Sequence, residues 1–271
     1  MKIGVMVILD SVEIDKKFKK VIELGFNYCQ LCCWDHTFLT DEVAKAVLEA
    51  CKKYSIEIST FWCGWSGPAE WNFYEGPLTL GLVPKEFRNK RIEELICGSD
   101  FARKLGLKNM ATHMGFLPEV PLSNEYKETV SAIRQVAQHC KKNNQYLLFE
   151  TGQETPVTLR RTIEDVGEDN LGINLDAANL ILYGKANPVD ALDVFGEYVR
   201  DVHAKDGKYP TDGRHLGEET PLGEGKVDIS ALIKKLKEVG YNGTLIIERE
   251  ISGEKQKQDI ISAKKLLEKL I

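Results

Sequence analysis

The chain has 271 residues, of which 43% are hydrophobic and 28% charged, and its formal net charge is −5 with a pI near 5.7. This composition is ordinary for a soluble globular protein, and the acidic balance argues against DNA or RNA as a general partner. No apolar run approaches the ~20 residues of a membrane span. Residues 1–7 lack the regions of a secretory signal and instead resemble a first strand. We therefore expect a cytoplasmic protein with neither a nucleic-acid nor a membrane partner.

Short apolar runs alternate with amphipathic segments along the whole chain. Such runs are typical of parallel strands buried on both faces, and the amphipathic segments are typical of helices. The predicted strands span residues 2–7, 28–33, 56–63, 109–113, 146–150, 172–176, 198–203 and 244–248. The predicted helices span residues 13–24, 40–54, 85–105, 123–143, 156–166, 229–239 and 256–270. An eighth helix, after the sixth strand, is poorly marked because Gly184, Asn187 and Pro188 interrupt its pattern.

Strands that alternate with helices predict a parallel α/β sheet. The length is close to the roughly 250 residues of a (β/α)8 barrel, although it would also suit two small domains. No domain boundary interrupts the pattern. We therefore predict a single (β/α)8 TIM barrel domain over residues 1–271.

Two long loops interrupt the regular spacing, at residues 64–84 and 206–227, and both are expected at the C-terminal mouth of the barrel. The first, which we name the aromatic loop, contains Trp65 and Trp71 together with Phe73 and Tyr74. Long loops in compact domains tend to be functional, so we interpret it as a lid or a pocket wall. The alternative is a packed Ω-type loop without a function of its own.

The seven cysteines are expected to be reduced and partly buried. Most fall inside predicted strands or helices, where they behave as small hydrophobes. Cys29 and Cys32 have the spacing of a zinc or redox pair, but no second pair follows at a matching distance. Residues three apart in a strand also point to opposite faces.

Four candidate metal ligands stand at the ends of successive predicted strands. They are Glu150, Asp176, His203 and Glu248, which we name the strand-end cluster. In a closed parallel barrel the carboxyl ends of all strands surround one mouth, where active sites are built. Each residue alone has a structural alternative, since an acidic residue is often a helix N-cap or an ion-pair partner and a single histidine is often structural. The four together favour a shared metal site.

Carboxylate oxygens with one imidazole nitrogen form a hard ligand set that favours Mn, Mg or Co, and zinc is also compatible. Four protein ligands would leave two positions of a six-coordinate ion for the neighbouring carbonyl and hydroxyl oxygens of a sugar. A polarised carbonyl makes the adjacent C–H proton removable, and carboxylates on either side of the substrate could take and return that proton. Glu150 and Glu248 are the candidate acid/base pair, because a ligand carboxylate can keep one oxygen free.

The motifs around the strand-end cluster resemble one known family as a set. They are Phe-Glu-Thr-Gly (149–152), Leu-Asp-Ala-Ala-Asn-Leu (175–180), Val-His-Ala-Lys-Asp (202–206), Leu-Gly-Glu-Gly-Lys-Val-Asp (222–228) and Ile-Ile-Glu (246–248). The chain resembles the xylose isomerase-like TIM barrel superfamily, and within it the sugar phosphate isomerase/epimerase group that includes the ketose 3-epimerases. The resemblance covers most of the chain and is strongest from Glu150 onward. It implies a Mn-, Mg- or Co-type ion on the strand-end cluster, Glu150 and Glu248 as the acid/base pair, and assembly as a homodimer or homotetramer.

Two positions bear on a branch of this superfamily, the DNA-repair endonucleases. His113 matches a position where that branch places a metal-binding histidine, and here we expect it to face the substrate or support the ligands, with a structural role as the alternative. Asn179 departs from members that carry a histidine at this place, which argues against a second metal but keeps a polar substrate contact. His215 lies near the Gly-Glu-Gly turn at a different spacing from the Asp and His of the endonucleases. A nuclease is therefore not favoured.

Five further residues are candidate substrate contacts near the mouth. Lys205 and Arg214 would contact a phosphate or sugar hydroxyls, and the alternative is that they are solvated loop charges. Trp34, Trp62 and Trp65 would form an apolar wall against a sugar ring, and the alternative is ordinary packing.

The resulting hypothesis is a metal-dependent isomerase or epimerase of a small sugar or sugar phosphate, with ketose 3-epimerisation as the leading activity. A dehydratase of polyols or keto-acids would use the same site and the same first proton abstraction. A sugar-binding barrel without catalysis is the alternative from a different class.

Overall fold

The computed structural model describes residues 1–271, and eight parallel strands close into a barrel. The barrel strands are Lys2–Ile8, Tyr28–Cys33, Glu57–Cys63, Asn109–Thr112, Tyr146–Glu150, Leu171–Asp176, Val199–Ala204 and Thr244–Ile247. The eighth strand pairs with the first, from Lys2 opposite Thr244 to Val5 opposite Ile247, which closes the ring. The predicted (β/α)8 TIM barrel is confirmed.

Helices connect the strands around the outside of the barrel. They are Ile14–Glu23, Asp41–Tyr54, Gly76–Thr79, Lys85–Lys104, Asn124–Lys142, Pro156–Val166, Ala177–Leu182, Pro188–Phe195, Ile229–Glu238 and Glu254–Leu267. Several begin at a side-chain cap. Thr40 accepts a hydrogen bond from the amide of Val43 and Ser123 from the amide of Tyr126, so the first turn of each helix is satisfied locally.

The prediction of eight helices and the start of the seventh strand are corrected by the structure. The poorly marked helix is two helices, because Gly184 adopts a positive φ and Asn187 caps a new helix that begins at Pro188. The aromatic loop also contains one short helix, Gly76–Thr79. Tyr198 belongs to a 3-10 turn, so the strand begins at Val199 rather than at Tyr198.

The barrel interior contains a buried polar network as well as apolar packing. The network consists of Gln30, Ser59, Asn174 and Asp201, from the second, third, sixth and seventh strands, and we name it the interior network. Gln30 Nε2 lies 3.2 Å from Asn174 Oδ1 and 3.1 Å from Asp201 Oδ2. The second and sixth strands lie on opposite sides of the ring, so these hydrogen bonds cross the barrel.

The aromatic loop is fixed by one fully buried cation, Arg91, on the helix Lys85–Lys104. Its guanidinium donates to four loop carbonyls, at 3.2 Å to Ser66, 3.0 Å to Pro68, and 2.7 Å to both Thr79 and Gly81. These bonds satisfy backbone carbonyls of a segment that makes few hydrogen bonds of its own. The loop therefore has a defined shape although it contains little regular structure.

The second long loop, 206–227, is also ordered by local contacts. A two-residue antiparallel ladder pairs Asp206–Gly207 with Glu219–Thr220. The two loops meet where the amide of Phe73 donates to the carbonyl oxygen of Arg214 at 2.9 Å.

All seven cysteines are free, and five of them are buried, as expected for reduced thiols that pack as small hydrophobes. No helix has the length and apolar character that crossing a membrane would require.

Replacing Arg91 with Met should destabilise the protein and release the aromatic loop. Met fills a similar space but donates no hydrogen bond, so four loop carbonyls lose a charged donor, at a cost of at least about 3 kcal/mol in the free energy of unfolding. Urea unfolding would measure this cost, and limited proteolysis should cut first within residues 64–84. The control is Lys90→Met on the same helix, where the exposed ammonium lies 3.8 Å from Glu94 and contributes at most about 0.5 kcal/mol. Equal stability of the two variants would contradict the role of Arg91.

Candidate active site

The strand-end cluster is brought together at the carboxyl end of the barrel. Glu150 and Asp176 are the last residues of their strands, His203 is the penultimate residue of the seventh strand, and Glu248 follows the eighth. Asp176 is directly opposite His203 in the strand pairing. One potential ligand atom from each residue lies within 4.8 Å of all the others. The predicted convergence of these four side chains is therefore present in the structure.

The geometry of the cluster suits a divalent ion. His203 Nδ1 lies 3.1 Å from Glu248 Oε2, 3.5 Å from Glu150 Oε1 and 3.6 Å from Asp176 Oδ2. Neighbouring ligands around an ion with bonds of about 2.1 Å are about 3.0–3.4 Å apart, which is close to these values. His203 Nδ1, Asp176 Oδ2 and Glu248 Oε2 are buried and make no hydrogen bond of good geometry, although the ammonium of Lys205 lies near both carboxylate atoms. Buried polar atoms rarely lack partners, so an ion would complete this arrangement.

The interior network fixes which nitrogen of His203 faces the other ligands. His203 Nε2 lies 2.8 Å from Gln30 Oε1, and the Gln30 amide is held in this orientation because its Nε2 donates to Asn174 and Asp201. Asp201 in turn accepts a hydrogen bond of 2.6 Å from Ser59. His203 Nε2 also lies 3.0 Å from Asn174 Nδ2, so the side-chain amides of Gln30 and Asn174 hold the ring with its Nδ1 toward the carboxylates.

Glu150 is buried among groups that favour its ionised form. Trp62 Nε1 donates to Glu150 Oε2, and His113 Nε2 lies 3.4 Å from Oε1. Burial alone would raise the pKa of this carboxyl, but the nearby imidazoles of His113 and His203 outweigh burial and hold the pKa below its usual value. Glu150 is therefore a carboxylate near neutral pH.

Glu248 is kept ionised by Lys205. Lys205 Nζ lies 3.3 Å from Glu248 Oε2, 3.4 Å from Asp176 Oδ2 and 2.8 Å from Glu250 Oε1. Burial would raise the pKa of Glu248, but the charges of Lys205 and His203 lower it well below its usual value. The same carboxylates raise the pKa of Lys205 even though burial opposes this. Buried charges thus compensate one another at the barrel mouth.

A cavity of about 430 Å³ opens directly above the strand-end cluster, and we name it the central cavity. One side is aromatic, with the Trp34 and Trp62 rings 4.9 Å apart and the Trp71 ring 5.2 Å from that of His113. The lining residues are Met6, Cys32, Trp34, Trp62, Trp71, His113, Glu150, Asn179, Leu182, Tyr183, Leu216, Glu248 and Glu250. The cavity therefore combines a polar floor with a largely apolar wall.

The candidate substrate contacts divide into those that line this cavity and those that do not. Trp34, Trp62, His113 and Asn179 line it. Lys205 is buried beneath it and contacts the carboxylates described above.

Trp65 and Arg214 lie outside the cavity lining. Trp65 is buried behind Trp34, with its ring 4.1 Å from the Arg91 guanidinium, because the aromatic loop turns it inward. Arg214 is exposed on the second loop, with its guanidinium 5.8 Å from the Tyr74 ring.

Several site residues were not singled out from the sequence. Gln30 and Asn174 could have been recognised as site residues, because each is a side-chain amide within an otherwise apolar strand. The wall residues Leu182, Tyr183 and Leu216 carried no such signal, since they come from segments without regular spacing.

The fold and the site identify the family. The model of the family described as "Xylose isomerase-like TIM barrel" matches residues 18–270. The chain belongs to this family. The xylose isomerase domain protein from Planctomyces limnophilus is 35% identical, with a TM-score of 0.92 over 99% of this chain and 96% of that chain. A D-tagatose 3-epimerase-like protein shares the fold at 23% identity, with a TM-score of 0.77 over 100% of this chain and 97% of that chain.

Two proteins from other organisms are similar in sequence. An uncharacterized protein of Methanocaldococcus jannaschii is 24% identical over 284 residues, which cover 100% of this chain and 89% of that protein. The inosose dehydratase of Geobacillus kaustophilus is 26% identical over 142 residues, which cover 47% of this chain and 46% of that protein. Proteins similar to this xylose isomerase-like barrel thus include one named as epimerase-like and one named as a dehydratase.

Replacing Gln30 with Met should weaken the binding of Mn²⁺ about 10- to 100-fold, because His203 would lose the acceptor that orients its ring. Isothermal titration calorimetry would measure the affinity, and the visible spectrum of the Co²⁺-loaded protein would report the ligand geometry. The control is Gln135→Met, an exposed position on the helix Asn124–Lys142. Unchanged affinity in Gln30→Met would contradict the orienting role.

A second prediction concerns Glu154, which is buried in the loop after the fifth strand. Burial raises the pKa of its carboxyl from the ordinary 4.5 to about 8. The folded protein then holds a proton that the unfolded chain releases, so this group's contribution to stability is full below pH 4.5 and is lost as pH rises toward about 8.

Glu154→Gln mimics the protonated carboxyl at every pH. The difference in free energy of unfolding, Glu154→Gln minus the unmodified protein, should therefore grow as pH rises from about 5 to about 9, by on the order of 3–4 kcal/mol. Urea midpoints at several pH values would measure this. The exposed Glu86→Gln variant is the control, and parallel pH profiles for the unmodified protein and Glu154→Gln would rule out the proposed titration.

Proposed function

We propose that this protein is a divalent-metal-dependent sugar epimerase that inverts the carbon next to a ketose carbonyl, at C3. The observation that carries the proposal is a pair of ionised carboxylates, Glu150 and Glu248, which belong to the strand-end cluster and line one sugar-sized cavity. The family and the epimerase-like neighbour support a reaction of this class. A ketose isomerase would use the same groups on a different proton.

The strand-end cluster would hold the ion. Its oxygen-rich ligand set favours Mn, Mg or Co and is compatible with Zn. When bound, the ion would supply Lewis-acid polarisation of the substrate carbonyl. The remaining chemistry belongs to the side chains of this chain.

Epimerisation requires that one face of the substrate carbon loses a proton and that the other face receives one. Glu150 and Glu248 stand on the fifth and eighth strands, which are separated by two strands around the ring, so they approach the cavity from different sides. One carboxylate removes the C3 proton, and the other, after it has taken up a proton from solvent, delivers that proton to the planar carbon. The hydrogen that arrives differs from the one that left, so solvent hydrogen enters C3.

Other cavity residues would position the sugar. Trp34, Trp62 and Trp71 offer aromatic faces to its C–H groups. His113 lines the cavity with its Nε2 3.4 Å from Glu150 Oε1, so it would hold that carboxylate in place beside the substrate. Asn179 provides an amide on the cavity wall beside Glu150.

Dehydration is the second candidate, favoured by the similarity to the inosose dehydratase. It would begin with the same proton abstraction and then expel a hydroxyl group from the neighbouring carbon. Mass spectrometry separates the two reactions, because only the dehydratase product loses the mass of water.

Replacing Glu150 with Gln should leave Mn²⁺ and ketose binding measurable but lower turnover about 10²- to 10⁴-fold, because the amide cannot accept the proton. Proton NMR in D₂O of ketoses incubated with the Mn-loaded protein would follow loss of the C3 signal and appearance of the epimer. Glu248→Gln should behave alike, whereas Glu86→Gln on the exposed helix surface should retain full exchange. Near-normal turnover in Glu150→Gln would overturn the assignment of the proton-transfer pair.

A further inference from the structure

We propose that the substrate is an uncharged ketose rather than a ketose phosphate, because the place where a barrel of this kind would hold a phosphate is filled by the protein's own carboxylates. The inference rests on the proposed function and narrows its substrate class. It is carried by the contacts of the second long loop and of the cations around the mouth.

Phosphate sites in TIM barrels are frequently formed by the loops after the seventh and eighth strands. In this chain the loop after the seventh strand turns through Gly223 and Gly225 and directs backbone amides at one point, an arrangement that binds anions. The anion at that point is the fully buried carboxylate of Asp206. It accepts hydrogen bonds from Gly223 at 3.0 Å, Gly225 at 2.9 Å and Val227 at 3.0 Å.

The turn leaves no room for a second anion. A Cβ atom on Gly225 would lie 2.1 Å from Asp206 Oδ1, so the backbone is packed directly against the carboxylate. The space that remains between Asp206, Glu248 and Arg249 is about 10 Å³. A phosphate would have to displace Asp206 from its amides.

The cation beside this turn is also neutralised. Arg249 follows Glu248 and is largely buried, with Nη1 2.7 Å from Glu219 Oε2 and Nε 3.0 Å from Asp259 Oδ2. Glu219 also accepts the amide of Glu250, at 3.0 Å. Arginine pairs with phosphate through Nε and its Nη groups, and the two carboxylates already occupy Nε and Nη1.

Lys205 is the cation nearest the strand-end cluster, and it too is fully engaged. Its ammonium contacts Asp176, Glu248 and Glu250, and none of the residues that line the central cavity is a lysine or arginine. Lys205, a divalent ion and the carboxylates of Glu150, Asp176, Glu248 and Glu250 together leave one net negative charge. A phosphate would add about two more in a partly buried site.

The remaining walls of the cavity match a neutral molecule. Trp34, Trp71 and Tyr183 provide aromatic surface, and Leu182 and Leu216 provide aliphatic surface. These side chains can pack on the carbon-bound faces of a sugar but cannot compensate an anionic end.

The test compares D-fructose, D-fructose 6-phosphate and 6-O-methyl-D-fructose on the Mn-loaded protein. The methyl ether extends the same carbon without charge, so it separates the effect of charge from that of size. Affinity is measured through the fluorescence of the cavity tryptophans, and turnover through C3 exchange in D₂O. We expect the two neutral sugars to bind within about 5-fold of each other and the phosphate at least about 100-fold more weakly, as expected for an unpaired anion in this site.

A charge variant sharpens the comparison. Glu250→Gln removes a carboxylate from the mouth and frees one Lys205 contact, so the discrimination against the phosphate should fall about 10-fold. Equal or tighter binding of the phosphate by the unmodified protein would overturn the inference. If 6-O-methyl-D-fructose and D-fructose 6-phosphate both bind equally more weakly than D-fructose, the inference is also overturned, because size rather than charge would then be responsible.

The two proposals fail in different ways. If D-fructose 6-phosphate exchanges its C3 hydrogen as fast as D-fructose does, the epimerase proposal stands and the substrate inference fails. If no sugar exchanges, the epimerase proposal fails, and the order of the measured affinities still decides whether the site prefers an uncharged ligand.

Discussion

The site depends on the balance among buried charges at the end of the barrel. Glu150, Asp176 and Glu248 place three carboxylates within 4.8 Å of one another, and such a group is stable only beside cations. Lys205 and His203 provide the compensation that the chain itself contains, and a divalent ion would provide the rest. Much of the architecture around the mouth therefore serves to hold like charges together.

The strand-end cluster could be predicted from the sequence because the rule behind it is topological. Parallel strands of one barrel end on the same side, so polar residues that terminate successive apolar runs must meet there. The order of strands and the length of the chain were enough to place Glu150 and Asp176 near His203. The family resemblance made the same assignment from motifs, and the matching family model confirms that resemblance.

The residues that support the cluster could not be predicted in the same way. Gln30 was visible as a polar residue in an apolar strand, but its partners Asn174 and Asp201 lie across the barrel, and sequence spacing does not encode that contact. Whether Trp65 and Arg214 line the cavity depends on how two irregular loops turn, and tertiary contacts such as those of Arg91 decide this. Aromatic density correctly indicated a pocket wall, since Trp71 lines the cavity, but it did not indicate which rings would face inward.

The Arg91 contacts also separate two tasks within the molecule. The strand-end cluster lies in the second half of the barrel, whereas the tryptophans of the cavity wall come from the first half. Trp34 follows the second strand, Trp62 lies in the third, and Trp71 belongs to the crossover whose shape is set by its own helix, Lys85–Lys104. The segment from Gly64 to Lys104 thus carries both one aromatic ring of the wall, Trp71, and the guanidinium that orders its loop. Exchange of this segment between related barrels is a route by which the cavity could change shape while the strand-end cluster stays the same.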